Sequence, residues 1–261
     1  MIDIHCHPLP GVDDGATSVE VAVEMCRTAA NDGITHLVAT PHSNYTYTFD
    51  PDLNRLLLRE LQEKVGEKPQ LLLGCDFHLS YDNIQICTQN SKDFTVNQSS
   101  YLLVELPDQF IPEHLSRVYY DIQVAGLHPI ITHPERNALL QRKPELLQHW
   151  VSMGCLVQVT AQSYTGGFGN RARKYAEMLL DSGSVHFFAS DAHDTRRRPP
   201  ILSACYRKVA REKGEEIADL LLNKNPEAVI NDQPLPELAD GGGYGEKPRR
   251  RWFSFLLGRE S

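Results

Sequence analysis

Seven short runs rich in β-branched and other apolar residues alternate with segments of helical period, and this alternation constrains the fold more than any other feature. The runs cover residues 1–4, 35–39, 71–73, 101–104, 129–131, 156–159 and 185–189. The amphipathic segments between them include residues 18–32, 51–65, 112–125, 142–152 and 170–182. Because each helix returns the chain to the start of the next strand, the pattern predicts a parallel sheet. We expect an α/β fold, specifically a distorted (β/α)7 barrel similar to a TIM barrel.

The alternation stops near residue 235, which predicts two regions of different character. Residues 1–235 are expected to form the barrel domain. Residues 236–261 contain clustered Gly and Pro followed by the basic and aromatic stretch RRRWFSFLL, which is typical of a linker and tail. This tail is too short to span a bilayer, but it could contact a membrane surface or an acidic partner. The alternative is a terminus that is poorly ordered or packs back on the domain.

Composition narrows the class of protein. The 261 residues are 41% hydrophobic and 23% charged, which excludes a mostly disordered or fibrous chain. The net charge of -8 does not favour nucleic-acid binding. The six cysteines include no CxxC pair, and the first residues, MIDIHCHPLP, lack the pattern of a signal peptide. These features predict reduced thiols in a cytoplasmic protein, with peripheral membrane contact through the tail as a further option.

Six of the seven predicted strands are followed by histidine or an acidic residue. These residues are His5 and His7, His42, Asp76, Glu105, His133, and Asp191 with His193. The carboxyl ends of parallel strands meet at one face of a barrel, which is where active sites of this architecture lie. The pattern therefore predicts one site built from all six strand ends.

The spacing and chemistry of these residues indicate metal ligands. Alternate residues of an extended segment point to the same side, so His5 and His7 project together, as do Asp191 and His193. Imidazole and carboxylate ligands suit zinc, manganese or iron, and their number predicts more than one ion. Asp13 and Asp14 follow the first pair in a loop flanked by glycines. Fixed cations approach from two further loops, at Arg136 and at residues 196–198, and arginine suits bidentate phosphate binding.

Five stretches of the chain, in this order, are similar to the PHP superfamily (polymerase and histidinol phosphatase). The stretches are MIDIHCHPLPGVDDGA, ATPH, YLLVELP, ITHPER and ASDAHDTRRRPP. Within the superfamily the chain resembles the metal-dependent protein tyrosine phosphatases of bacterial capsular and exopolysaccharide operons. The resemblance implies a cluster of about three divalent ions, with Mn²⁺ expected and Fe or Zn as alternatives. The ligands that it implies are His5, His7, Asp14, His42, Glu105, His133, Asp191 and His193. Arg136 and Arg198 match the phosphate-binding arginines of these enzymes.

One position departs from the family pattern. The family usually has Glu after a Gly-Ala pair, whereas this chain reads Gly74-Cys75-Asp76. Since Asp is one methylene shorter, we expect Asp76 either to bind one ion or to act through water.

The resulting hypothesis is a metal-dependent hydrolase of phosphotyrosine in proteins. The resemblance implies that the substrate is the tyrosine-rich tail of a bacterial tyrosine kinase that controls polysaccharide synthesis and export. A small-molecule phosphomonoesterase similar to histidinol phosphatase is the alternative, and a metal-stabilised assembly module without catalysis is a more distant one. The C-x5-R spacing from Cys205 to Arg211, typical of cysteine-dependent phosphatases, is expected to carry no function. Residues 201–213 contain no glycine and predict a continuous helix.

Overall fold

The computed structural model describes residues 1–79, 90–107 and 110–236. The strands are β1 (Ile2–Cys6), β2 (His36–Ala39), β3 (His42–Ser43), β4 (Gln70–Leu73), β5 (Asp76–His78), β6 (Tyr101–Glu105), β7 (His128–Thr132), β8 (Leu156–Thr160) and β9 (Phe187–Ala189). The α-helices are α1 (Val19–Asn31), α2 (Pro51–Val65), α3 (Ser91–Phe94), α4 (Leu115–Val124), α5 (Ala138–Arg142), α6 (Pro144–Ser152), α7 (Ala161–Thr165), α8 (Gly169–Asp181), α9 (Ser203–Lys213), α10 (Glu215–Asp219) and α11 (Asn225–Ile230). Short 3-10 helices span Val96–Gln98 and Pro134–Arg136, and a π-helix spans Leu220–Lys224.

All strand pairs are parallel, and they form two sheets with the orders β1-β2-β4 and β3-β5-β6-β7-β8-β9. Two of the predicted strands are each followed, after a short interruption, by a further strand. The interruption between β2 and β3 includes Pro41, and the one between β4 and β5 is Gly74-Cys75. Proline has no backbone N–H to donate, so a regular ladder cannot pass through Pro41. Two hydrogen bonds bridge the interruption, from Gly74 N to Ala39 O (2.8 Å) and from Asp76 N to Pro41 O (3.2 Å).

The last strand of the larger sheet lies beside the first strand of the smaller one. The segment after β9 bonds to the end of β1 through Asp191 N to His5 O (2.8 Å) and His7 N to Ala192 O (2.9 Å). The expectation of an α/β fold with parallel strands is confirmed. The hydrogen bonding is divided between two sheets rather than running through one closed barrel.

The strands are buried on both faces, as parallel sheets require. On β6, Leu102 and Val104 belong to the larger apolar cluster, whereas Tyr101 and Leu103 belong to a smaller second cluster. The five predicted helices are all present. The largest difference is at residues 112–125, where the helix begins only at Leu115.

Helix starts follow from capping side chains. Ser18 Oγ accepts from Val21 N at the start of α1, and Asp50 accepts from the backbone N–H groups of Asp52 and Leu53 at the start of α2. Such caps satisfy N–H groups that have no partner within the helix. In the part of the chain that the structure describes, no helix is both long and apolar enough to cross a bilayer.

The segment with the C-x5-R spacing is helical, as expected. Cys205 is the third residue of α9 and is buried. Burial raises the pKa of its thiol well above the ordinary value. Among the described residues, Cys6, Cys26, Cys155 and Cys205 are free thiols and buried, and Cys75 is also buried. From residue 237 onward, the predicted tail lies outside the described residues.

Candidate metal centre

The residues expected at the strand ends meet in one place. A pocket of about 280 Å³ opens at this edge of the sheets. Its lining residues are Asp14, His42, Glu105, His133, Arg136, Asp191, His193 and Arg198. The three remaining predicted ligands, His5, His7 and Asp76, are buried. The structure therefore brings together all nine predicted ligands and both predicted arginines.

Three overlapping groups of donor atoms, each within a sphere that fits one ion, lie in this cluster. Their members are His7, Asp14, His42 and His193; His5, His7 and Asp76; and His42, Asp76 and Glu105, with the ligand atoms of each group within 4.8 Å of one another. The other two predicted ligands lie at the edges of these groups. His133 Nε2 is 3.6 Å from Glu105 Oε1, and Asp191 Oδ1 is 3.5 Å from His5 Nε2.

Asp76, the residue that departs from the family pattern, occupies the centre of the cluster. Its Oδ2 atom lies 3.5 Å from His5 Nε2, 3.2 Å from His42 Nδ1 and 4.0 Å from His133 Nε2. The side chain is fully buried and belongs to two of the three donor groups. Despite its shorter side chain, Asp76 thus reaches the position that two donor groups share. Whether it binds one ion or two stays a prediction.

The residues present fit a cation. Among the described residues, the buried atoms Asp76 Oδ2 and His42 Nδ1 have no hydrogen-bond partner. A buried carboxylate oxygen without a partner is costly, and a cation held between carboxylate and imidazole ligands would compensate it. The donor set is nitrogen and oxygen only, which suits Mn, Fe or Zn rather than a thiolate site.

The carboxylates control the charge of the imidazoles around them. Burial lowers the pKa of His5, but Asp76 and Asp191 outweigh this effect and raise that pKa to about 9. For His42, burial is likewise outweighed by the neighbouring carboxylates of Asp14 and Asp76, and the pKa rises to about 11. Protons and divalent cations compete for such imidazoles, so metal binding here is expected to release protons.

Two side chains outside the predicted ligand set orient the histidines of β1. Asp13 Oδ2 lies 2.7 Å from His7 Nδ1, and Gln158 Oε1 lies 2.9 Å from His5 Nδ1. Because a carboxylate and an amide oxygen only accept, each Nδ1 carries the proton and each Nε2 is left for a metal ion. The two Nε2 atoms lie 3.2 Å apart.

Gly15 shows why glycine follows the two aspartates. A Cβ atom at this position would lie 2.1 Å from the carbonyl oxygen of His7 and 2.5 Å from its Cβ. Only a glycine allows the loop to approach β1 this closely, and the close approach brings Asp13 to His7.

Two of the proposed ligands have unusual backbone conformations. His133 has φ of 35° and Asp191 has φ of 50°, both in the left-handed region that non-glycine residues rarely adopt. Each such residue costs about 1–3 kcal/mol, and this kind of strain is concentrated at functional sites. Both residues lie within two positions of the end of a strand, at the edge where the ligands meet.

The two predicted arginines share one carboxylate oxygen. Arg136 Nη2 pairs with Asp191 Oδ2, and Arg198 Nη2 lies 2.8 Å from the same atom. The Nε atoms of both arginines are buried and have no hydrogen-bond partner in the part of the chain that the structure describes. Both arginines also line the pocket, and each guanidinium has N–H donors beyond the one paired with Asp191 that an anion in the pocket could use.

The loop after His193 places the three consecutive arginines, residues 196–198, in different environments. Asp194 Oδ1 accepts from the backbone N–H groups of Arg196 (2.6 Å), Arg197 (2.6 Å) and Arg198 (3.3 Å). Within this turn the side chains of Arg196 and Arg197 are exposed, whereas Arg198 reaches Asp191. The geometry thus agrees with the choice of Arg198.

Sequence reasoning missed two functional side chains and the role of a third. Gln158 lies on the one predicted strand without a histidine or acidic residue at its end, and its signal was a polar residue within the apolar run LVQV. Asp13 was noted only as part of a loop. Phe168, whose ring contacts both Arg136 and Arg198, follows two glycines in the motif TGGFG, which carried no predicted role.

Comparison with known families assigns the chain. A family model described as capsular polysaccharide synthesis, CpsB/CapC, matches residues 1–231. The chain belongs to the CpsB/CapC family. The resemblance stated from the sequence motifs is therefore confirmed.

Curated relatives of the CpsB/CapC family cover nearly the whole chain. A Staphylococcus aureus protein provisionally named tyrosine-protein phosphatase CapC is 34% identical and covers 98% of this chain and 100% of its own length. Tyrosine-protein phosphatase YwqE of Bacillus subtilis is 32% identical, over 90% of this chain and 93% of its own length. These relatives are thus named as tyrosine-protein phosphatases, which is the class of enzyme that the sequence motifs predict.

Solved structures agree with this assignment. A chain from crystal structures of YwqE of Bacillus subtilis and CpsB of Streptococcus pneumoniae, described as unique metal-dependent tyrosine phosphatases, has a TM-score of 0.84 at 32% identity and covers 90% of this chain and 96% of its own. A variant of an organophosphorus hydrolase has a TM-score of 0.56 at 14% identity, covering 87% of this chain and 91% of its own, which is a likeness of fold alone.

Proposed function

We propose that this protein is a metal-dependent protein-tyrosine phosphatase. The observation that carries the proposal is a pocket in which a cluster of histidine and carboxylate ligands adjoins two partly exposed arginines. Hydrolysis of a phosphomonoester in such a pocket uses cations that bind its negative oxygens and an activated water molecule as the nucleophile. The arginines supply cations, and metal ions bound by the cluster would supply both functions. The names of the CpsB/CapC relatives support the same activity.

The nine residues His5, His7, Asp14, His42, Asp76, Glu105, His133, Asp191 and His193 would hold about three divalent ions, with Mn²⁺ proposed as the physiological metal. When bound, these ions supply Lewis acidity toward phosphoryl oxygens and lower the pKa of a water molecule. The chain's own contribution is orientation. Asp13 and Gln158 keep the protons of His7 and His5 on Nδ1, so that both Nε2 atoms point into the cluster.

Arg136 and Arg198 are proposed to bind the equatorial phosphoryl oxygens. Their guanidinium groups are one-fifth to one-quarter exposed, so they face the pocket while most of each group is removed from solvent. In this environment a charge-assisted hydrogen bond is stronger than in water. As negative charge builds on the phosphoryl group, these bonds would stabilise the transition state, with no covalent enzyme intermediate.

We also propose the wider setting of the reaction. Residues 1–235 would form a distorted (β/α)7 barrel of the PHP type, and the substrate would be the tyrosine-rich tail of a bacterial kinase that controls polysaccharide export. The free, buried thiols of Cys6, Cys26, Cys155 and Cys205 support a cytoplasmic location. Peripheral contact with a membrane or an acidic partner through residues 236–261 is the remaining part of this proposal.

The experiment that tests the function combines metal analysis with substrate choice. The purified protein is assayed on a phosphotyrosyl peptide, the matching phosphoseryl peptide and histidinol phosphate, before and after chelation and with Mn²⁺ added back. We expect turnover of the phosphotyrosyl peptide that disappears with the metal and returns with Mn²⁺. A preference for histidinol phosphate would favour the small-molecule phosphatase, and full activity at near-zero metal content would overturn the mechanism.

A further inference from the structure

Phe168 contacts both arginines of the pocket. Its ring centroid lies 4.9 Å from Arg136 Cζ and 5.6 Å from Arg198 Cζ. Both distances are within the range of a cation–π interaction. Phe168 is half-buried and is neither a metal ligand nor a group that titrates. One aromatic ring therefore lies within cation–π range of two like charges.

The backbone around Phe168 is built to place this ring. Gly166 (φ of 102°) ends α7 and Gly169 (φ of 85°) begins α8, so left-handed glycines stand on both sides of the phenylalanine. Gly167 lies so close to Gln162 that a Cβ atom would approach its Cγ to 2.4 Å. Gln162 in turn donates from Nε2 to the carbonyl oxygen of Arg197 (2.7 Å). The turn that carries Phe168 is thus connected directly to the loop that carries Arg198.

The ring contact differs in kind from the other contact that the arginines share. Both guanidinium groups pair with Asp191, which is itself a proposed metal ligand, so a bound cation would compete for the same carboxylate. The attraction of the ring does not depend on that carboxylate. An aromatic ring also offers no oxygen acceptor, so it takes up none of the N–H donors of the two guanidinium groups that line the pocket.

We infer that Phe168 is a positioning residue that holds Arg136 and Arg198 in the orientation that binds the phosphoryl group. The inference rests on the proposed function and adds to it a residue that acts through the two arginines. Loss of the ring should therefore weaken phosphate binding and turnover without removing metal, and the loss should depend on an intact arginine.

A double-mutant cycle tests this dependence. Phe168→Leu, Arg198→Lys and the double variant are compared with the wild type on a phosphotyrosyl peptide, and the inhibition constant of inorganic phosphate is measured for each. We expect Phe168→Leu to lower kcat/KM about tenfold and to weaken phosphate inhibition in parallel, the size expected for two partly desolvated cation–π contacts. In the Arg198→Lys background the same substitution should cost only about threefold, because the planar guanidinium of Arg198 is already absent and only the contact with Arg136 remains.

Conservative and matched controls separate positioning from folding. Phe168→Tyr and Phe168→Trp keep an aromatic face and should retain activity within about threefold. Tyr120→Leu removes an exposed ring that lies over Arg117 (5.3 Å) on α4, away from the pocket lining, and should change nothing. Metal content and the melting temperature are measured for every variant, and Phe168→Met replaces the leucine variant if the latter does not fold.

The outcomes are distinct. If the wild type does not hydrolyse the phosphotyrosyl peptide, the proposed function fails. If the wild type is active but Phe168→Leu is equally active, Phe168 does not position the arginines and the inference is overturned. The same holds if the activity losses of Phe168→Leu and Arg198→Lys multiply fully in the double variant.

Discussion

Arg198 holds Asp191 at two points, since its Nη2 atom donates to the backbone carbonyl oxygen of Asp191 (2.9 Å) and lies 2.8 Å from Oδ2 of the same residue. The other carboxylate oxygen, Oδ1, faces the imidazoles of His5 (3.5 Å) and His7 (3.6 Å). Asp191 therefore joins the proposed metal ligands to the proposed phosphate-binding arginines. Burial raises the pKa of its carboxyl, but Arg136 and His5 outweigh that effect and hold it well below its usual value.

Substitution of Arg198 by lysine should separate phosphate binding from metal binding. Lysine keeps the charge but loses the planar group that bonds two oxygens at once, so we expect kcat/KM to fall about 10- to 100-fold with unchanged metal content. The same result is expected for Arg136→Lys. Arg197→Lys is the matched control, because its side chain is exposed on the same loop. Steady-state kinetics and metal analysis check the prediction, and equal losses in Arg197→Lys and Arg198→Lys would contradict it.

Removal of the Asp13 carboxylate should weaken metal binding. Asp13→Ala leaves His7 Nδ1 without its acceptor, so the imidazole can turn or change its tautomer. We expect a 10- to 100-fold loss of affinity for Mn²⁺, as for other residues that orient metal-binding histidines. Titration of the metal-depleted protein by calorimetry measures this loss. Asp52→Ala, an exposed carboxylate on α2, is the control, and an unchanged affinity in Asp13→Ala would remove Asp13 from the site.

Cys205 should be dispensable for catalysis. Its thiol is buried within α9 and its pKa is raised well above the ordinary value, so it is not a thiolate at neutral pH. We expect Cys205→Ser to retain Mn²⁺-dependent turnover within about twofold. Alkylation of the folded protein should also leave activity intact. A folded, metal-loaded Cys205→Ser variant without activity would instead indicate a phosphocysteine mechanism.

The free energy of unfolding should decrease as the pH is lowered, because of His186. Burial lowers the pKa of this histidine to about 4, and its Nδ1 accepts from Val157 N (3.1 Å). Since the pKa is lower in the folded protein than in the unfolded chain, this contribution is complete above pH 6.5 and decreases as the pH falls toward 4. Linkage gives a loss of about 2 kcal/mol between pH 7 and pH 5.

Urea unfolding at these two pH values checks the prediction for His186. His186→Gln keeps an acceptor but has no proton to gain in this range, so its stability should change by about 2 kcal/mol less than that of the wild type. The exposed His149→Gln is the control. Equal pH dependence in the wild type and His186→Gln would show that the buried ring does not carry the effect.

The amino-acid sequence alone determined the features that depend on local patterns. Each of the seven predicted β-rich runs overlaps a strand and each of the five predicted segments of helical period overlaps a helix, because hydrophobic period is a property of consecutive residues. The short spacings of His5 with His7 and of Asp191 with His193 placed ligand pairs at strand ends. Parallel strands then brought these pairs to one edge.

Only the tertiary structure decided which distant residues meet. Gln158 reaches His5 across 153 positions, and no local pattern encodes a contact that depends on the pairing of strands and on rotamers. The division of the strands into two sheets depends on the interruptions at Pro41 and at Gly74-Cys75 lying side by side. The exposure of Arg196 and Arg197 and the contact of Arg198 with Asp191 depend on a turn that three hydrogen bonds to Asp194 stabilise. The contact of Phe168 with both arginines depends on two loops that are far apart in sequence, so it exists only once the chain has folded.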